Sequence, residues 1–290
     1  MTAIELRIDP RDRPVGNSQV RRLLPHRTRR MVGPFIFTDL IGPDDLAPGA
    51  AVDIDAHPHI GLSTLTYLFD GSLIHRDSTG AVEAIAPGAV NWMTAGSGVT
   101  HTERSDPDHL GLPRSIHGIQ TWVALPDEAQ DAEPSFQHAG ASEIPVETIG
   151  RSLVRVAAGT GWGLQSPVTG SSPLVLAEIH LHATSPVPVD TEHRELAVIA
   201  LEGDLTINDE TVTAGQLAVL DHETSATLSG AGKAIVLGGE PVGPRHIWWN
   251  FVHADPDRIE QAKDDWTRQR FPTVPGDHHP YVPLPGPPPR

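Results

Sequence analysis

The chain has 290 residues, room for one large domain or two ordinary ones, and 38% hydrophobic with 20% charged residues describes a folded chain rather than a disordered one. A formal charge of −16, from 21 basic and 37 acidic residues, argues against direct nucleic-acid binding, which draws its affinity from basic side chains on phosphates. Cysteine is absent, which excludes disulfides and thiol nucleophiles; no apolar run approaches the ~18 residues of a membrane helix, and Met1 to Val15 is too charged for a secretory leader, so a soluble cytoplasmic protein is expected.

In chain order, Ile4 to Ile8 alternates apolar and charged residues, as a half-buried strand does. Asp9 to Asn17 is rich in turn formers. Arg21, Arg22, Arg27, Arg29 and Arg30 form a basic run, expected on a solvated face or paired with acids. Val32 to Leu40 is a second strand, ending at Gly42-Pro43, and Asp44 to Ala51 is a loop. From His59 to Gln120 short apolar segments alternate with Gly and Pro turns, and Ile116 to Leu125 predicts a further strand. Pro126 to Pro145 is acidic and Pro-bearing, a connection to a second half.

That second half repeats the first. Leu65 to Gly71 resembles Leu196 to Gly203, and the Pro-Gly turn at Gly88 with the strand after it resembles Gly215 to Leu220. A duplicated β unit accounts for both. Pro244 to Phe251 is aromatic-rich. Asp255-Pro256-Asp257 starts a helix with Pro in its first turn, and Ile259, Ala262 and Trp266 fall at helical spacing, so this helix is expected to pack one face on a barrel. The tail from Phe271 to Arg290 is Pro-rich and expected to lie extended.

The chemistry concentrates between His57 and Glu103. His57 and His59 are two apart, and so are His101 and Glu103; on β-strands each pair projects its members to one face. Facing strands would bring together three imidazoles and a carboxylate, a donor set for Fe, Mn, Ni, Cu or Zn. Pro58 between the first pair indicates an edge strand or a strand's first residue, since Pro cannot donate to the ladder. His-x-His alone is weak evidence, and His180-Leu181-His182 is such a pair with no second half. Within the stretch, His75 and Asp77 are candidates to orient a ligand imidazole or to line the barrel mouth, Trp92 and Met93 for the core, Gly96 and Gly98 for a turn at positive φ. His26, His109 and His117 are candidate pocket neighbours. Aligned on Gly203, the second half carries Val189 and Thr191 where the first has His57 and His59, and neither His nor Glu around Thr227 and Leu228; His193 and His222 are expected at the surface or on loops.

The run from Val32 through His57-Pro-His59, Tyr67 to Gly71, His75-Arg-Asp-Ser78, Trp92 to Gly98 and His101-x-Glu103 resembles the pirin family of the cupin superfamily, most specifically over Val32 to Gln120. The resemblance implies an all-β chain of two cupin barrels, each a jelly-roll-like double-stranded β-helix, with a short helix and a Pro-rich tail. Residues 1–130 would form the barrel with the metal site, 131–145 a linker, and 146–290 a barrel without metal ligands plus the helix and tail. It implies one divalent transition metal on His57, His59, His101 and Glu103. Fe(II) is the first choice, with Cu, Ni, Mn, Co or Zn open, because residue types alone do not select it. It further implies O2-dependent cleavage of a flavonol such as quercetin, with Glu103 taking the proton of the 3-hydroxyl, in a monomer. Family members described as regulators keep a second class open: a metal-dependent protein that modulates a partner enzyme or transcription factor without turnover.

Overall fold

A computed structural model describes residues 2–189 and 192–286. Twelve strands occupy its first half: β1 (Ile4–Ile8), β2 (Arg11–Val15), β3 (Ser18–Leu24), β4 (Phe35–Leu46), β5 (Ile54–His59), β6 (Leu62–Asp70), β7 (Leu73–Asp77), β8 (Val82–Ile85), β9 (Val90–Thr94), β10 (Val99–Arg104), β11 (Arg114–Ala124) and β12 (Ser135–Ala139). Two antiparallel sheets, in the orders β12-β9-β6-β11-β4-β3-β2 and β5-β10-β7-β8, make the first barrel. The second barrel has an 8-stranded sheet built on Ser152–Gly161, Leu174–Leu181, Glu195–Glu202, Leu217–Leu220 and Gly232–Gly239, and a 4-stranded sheet that includes Leu205–Ile207 and Thr227–Ser229. The fold is all-β with two cupin barrels and, among the described residues, one α-helix, α1 (Pro256–Thr267), which Asp255 caps by accepting a hydrogen bond from the Asp257 amide. Among the described residues no helix is long and apolar enough to cross a membrane.

The two large sheets pack face to face. Leu65, Tyr67, Trp92 and Ile119 from the first share one core with Leu174, Leu176, Ala197, Ile199 and Leu237 from the second. Strand alternation makes this possible, because residues two apart on β6 face the partner barrel while those between face inward. The Tyr67 hydroxyl donates across the junction to Glu178 at 2.7 Å, which keeps both buried polar groups bonded.

Chain order and barrel membership do not coincide. β1 pairs with Leu217–Leu220 of the second barrel. The end of the chain returns to the first barrel, which places the helix and tail, grouped by sequence with residues 146–290, on the other unit. Phe251 forms a parallel bridge with Ile60, and Ile259, Ala262 and Trp266 of α1 join Ile60, Phe251 and Phe271 in one cluster. Val282 donates to the Ala56 carbonyl, and Asp277 receives Arg104 and Thr102. These segments run beside β5, an edge strand, where a Pro at position 58 costs no ladder hydrogen bond on the open side. Gly61 permits the approach: it has φ +67°, and a Cβ there would stand 1.8 Å from the Val252 carbonyl oxygen. The stretch Asp9 to Asn17, expected as turns, contains the exposed edge strand β2. The basic run pairs with acids at Arg22–Asp39 and Arg29–Glu195. Pro287-Pro288-Pro289 lie outside the described residues.

Candidate metal centre

β5 and β10 are antiparallel neighbours with His57 opposite His101. On β5 the pair His57 and His59 projects inward by alternation, and on β10 His101 does the same. Their ligating atoms lie within 4.8 Å of one another, and among the described residues this is the one such group of three or more His, Cys, Asp or Glu side chains. Gly96 (φ +50°) and Gly98 (φ +150°) shape the turn that delivers β10.

Each ring is held through its Nδ1. His57 Nδ1 meets the Asp55 carbonyl at 2.8 Å and His59 Nδ1 meets the Asn250 carbonyl at 3.1 Å, so both rings carry the proton on Nδ1 and turn an Nε2 lone pair toward the centre. His101 Nδ1 faces His75 Nδ1 at 3.4 Å, and His75 Nε2 faces Asp77 Oδ2 at 3.2 Å. Burial raises the proton affinity of Asp77, but hydrogen bonds from His75 and Thr79 outweigh it and leave this carboxyl below the ordinary range. An ionised Asp77 requires a proton on His75 Nε2. With His75 neutral, its Nδ1 accepts from His101 Nδ1, and a third Nε2 lone pair is left for the centre. His59 Nε2 and His101 Nε2 then stand 3.1 Å apart as two acceptors. That separation is close to the roughly 3.0–3.4 Å between neighbouring nitrogens on a metal with bonds of about 2.0–2.1 Å, so the donors fit a bridging cation.

The electrostatics favour the same state. Burial, acting against the hydrogen bond that His57 donates to the Asp55 carbonyl, lowers the His57 pKa to about 4. Burial, then the neighbouring imidazoles, holds His59 and His101 well below the ordinary imidazole value. All three are therefore neutral at neutral pH, the form a metal requires.

Glu103 is buried on β10 but stands outside the tight group of three. The register between β10 and β5 slips between His101 and Glu103, so that Glu103 faces Ile54 rather than a further inward residue two places from His57. Burial, the largest influence, pushes its carboxyl up; the Thr66 hydroxyl lies beside it and donates to Gln120. His75 and Asp77 pair with Glu103 and His101 from β7. Phe136 stacks on His75 at 4.7 Å, and Trp122 meets His59 edge-on at 5.1 Å.

The other sequence candidates are elsewhere. Trp92 and Met93 are core residues. His117 contacts Phe69, His109 pairs with Asp106 across an exposed 3-10 turn, and His26 bonds Thr28. His222 is exposed; His193, expected at the surface or on a loop, lies outside the strands, is buried and bonds the Thr160 carbonyl. His180 bonds Glu178 and His182 bonds Thr184. Two contributors had no reading from sequence. The Asn250 carbonyl leaves no trace in side-chain patterns. Thr66 does: Thr64 and Thr66 sit two apart on β6, on the face opposite Leu65 and Tyr67, a period-two polar signal pointing inward.

The Pirin family profile matches residues 17–123, and that of the Pirin C-terminal cupin domain matches residues 176–272. A pirin-like protein of Caulobacter vibrioides is 42% identical over 97% of this chain and 99% of its own length. A Pseudomonas aeruginosa protein provisionally named as a quercetin 2,3-dioxygenase is 37% identical over 87% of this chain and 79% of its own. The crystal structure of a quercetin 2,3-dioxygenase from Acinetobacter baumannii superposes with a TM-score of 0.89 at 30% identity, covering 98% of this chain and 96% of that one. Sequence, barrel architecture and the buried three-histidine group agree: this chain belongs to the pirin family of cupins.

Proposed function

We propose that the chain is a metal-dependent dioxygenase that opens a flavonol of the quercetin type with O2, releasing carbon monoxide. The observation that carries the reading is a buried carboxyl of raised proton affinity beside three neutral, convergent imidazoles. The names and structures of the relatives support the same activity.

His57, His59 and His101 would hold the ion, Fe(II) being the first choice, and Glu103 completes the set as base, with a place among the ligands open to it. The bound ion supplies Lewis acidity toward a substrate hydroxyl and, where it is redox-active, a partner for O2. Glu103 takes the proton of the 3-hydroxyl, a step its burial assists because a carboxylate pushed above its usual range binds a proton more readily. Asp77 and His75 hold His101 in the tautomer that leaves Nε2 free. The near-complete burial of the three rings keeps bulk water from the ionised substrate.

The test is O2 uptake with quercetin by protein loaded anaerobically with Fe(II), alongside Glu103→Gln. Quercetin-dependent uptake, lowered about 10²–10⁴-fold in Glu103→Gln while its metal content holds, is the expected result. Metal bound without uptake would overturn the dioxygenase reading in favour of a regulatory role. Equal loss of metal and turnover in Glu103→Gln would make Glu103 a ligand only.

A further inference from the structure

The wall opposite the histidines belongs to the large sheet, and its register sets polar residues in one line. Arg22, Asp39, Gln120, Thr66, Asn91 and His138 are successive cross-strand partners on β3, β4, β11, β6, β9 and β12. Paired residues share a face. Their side chains confirm it: Arg22 donates twice to Asp39, both at 2.8 Å, Thr66 donates to Gln120 Oε1 at 2.8 Å, and His138 Nδ1 meets Asn91 Oδ1 at 2.7 Å. Two residues along the strands, Phe37 and Trp122 stack at 4.0 Å, with the Arg22 guanidinium 4.2 Å from the Phe37 ring centroid. Trp122 also touches His59, so the wall lies beside the metal centre.

A barrel interior built only for stability would be apolar, since each buried polar group left unpaired costs about 1–3 kcal/mol. Two amide nitrogens in this line lack a partner among the described residues. One is Asn91 Nδ2, which is buried. The other is Gln120 Nε2, whose Oε1 is engaged by Thr66. Gln120 keeps part of its surface accessible where Thr66, Asn91 and Asp39 do not, so the wall opens at Gln120. At the end of the line β2 adds Arg11 opposite Arg22, with Arg13 two residues on. Burial, then the charges of Arg13 and Arg22, lowers the Arg11 pKa, which reports three guanidinium groups within reach of one another. In a chain of charge −16 this rim is locally cationic, with Asp39 the acid directly paired to it.

We propose that Gln120 is a specificity-determining residue. Its amide nitrogen donates to an ionised phenolic oxygen of a planar aromatic substrate lying beside Phe37 and Trp122, and the Arg11, Arg13 and Arg22 rim draws that anion to the mouth. This rests on the flavonol reading above and names the group that reads the substrate.

The test is anaerobic binding of quercetin to metal-loaded protein, followed by tryptophan fluorescence, with flavone, which has no hydroxyl, as the comparison ligand. Gln120→Leu is expected to retain its metal, to bind quercetin at least 10-fold more weakly and to lose most of the preference for quercetin over flavone. Gln120→Glu, which preserves shape and places a negative charge toward the anion, is expected to lose at least as much and carries the test should Gln120→Leu fail to fold. Arg13→Ala is expected to slow association and to flatten its dependence on salt. Wild-type protein that binds no quercetin would sink both the flavonol reading and this inference. Wild-type binding with an unchanged preference in Gln120→Leu and Gln120→Glu would sink the inference alone.

Discussion

Counted from the glycine turns, Thr66 and Asn91 of the first barrel correspond to Val198 and Ala218 of the second. Thr66 and Asn91 face the interior beside the histidines. Val198 and Ala218 lie in an apolar core with Val187, Val189, Leu228 and Val236. The residues between them do not diverge in character: Leu65, Tyr67 and Trp92 on one side and Ala197, Ile199 and Val219 on the other meet in the shared core. Gly71 and Gly203, like Gly88 and Gly215, all sit at positive φ. The turns and the docking face are common to both barrels; the inner face alone separates them. One barrel has its interior given over to a site, and the other has a filled core that contributes rigidity. The lesson is that in a strand whose faces alternate, a binding site and a docking surface can occupy the same residues' neighbours without interfering.

The largest effect belongs to the three histidines: alanine at His57, His59 or His101 should each empty the first barrel of metal, as measured by elemental analysis, with the fold retained. Histidine at Val189 should not create a second site, and metal gained there would show the second barrel to be more than a core.

Next comes Leu228, wholly buried in the second barrel. Leu228→Ala should cost about 2–5 kcal/mol in denaturant unfolding and leave the metal in place. Loss of metal with little loss of stability would reverse the roles assigned to the two barrels.

The pH dependence of the metal-free protein is third. Folding depresses the His57 pKa to about 4. Above the ordinary imidazole value of about 6.5 both states are neutral and nothing is lost. Below it the unfolded chain gains a proton that the folded chain refuses, so stability falls between about pH 6.5 and 4, by on the order of 3 kcal/mol from His57 alone. His59 and His101 shift the same way and add to it. A flat stability profile over this range in chemical denaturation would contradict the buried, neutral triad.

The smallest effect is at the junction. Tyr67→Phe removes one hydrogen bond from Glu178, which keeps His180 as a partner, and should cost about 1 kcal/mol with turnover unchanged.

Much of this was legible in the sequence, and for physical reasons. Paired histidines two apart, set among short strands and Gly turns, announce a barrel with convergent ligands, and the structure brings His57, His59 and His101 together. The start of α1 at Asp255-Pro256 follows from its cap and first-turn proline. What stayed hidden depends on register or on distant chain. β2 reads as turns because an exposed edge strand of charged residues with a proline lacks the alternation of a half-buried one. Glu103 reads as equivalent to His101 until the bulge opposite it on β5 is seen. The polar line from Arg22 to His138 spans six strands, and no single segment carries its pattern. The Asn250 carbonyl reaches His59 from 191 residues away.

One barrel of the two should hold a metal, through His57, His59 and His101. Anaerobic metal analysis of the purified chain after loading with Fe(II) and removal of loose ions tests it most directly, with His101→Ala measured in parallel. Close to one equivalent per chain, falling to background in His101→Ala, is the result predicted. No retained metal, or an equivalent that survives His101→Ala, would contradict it.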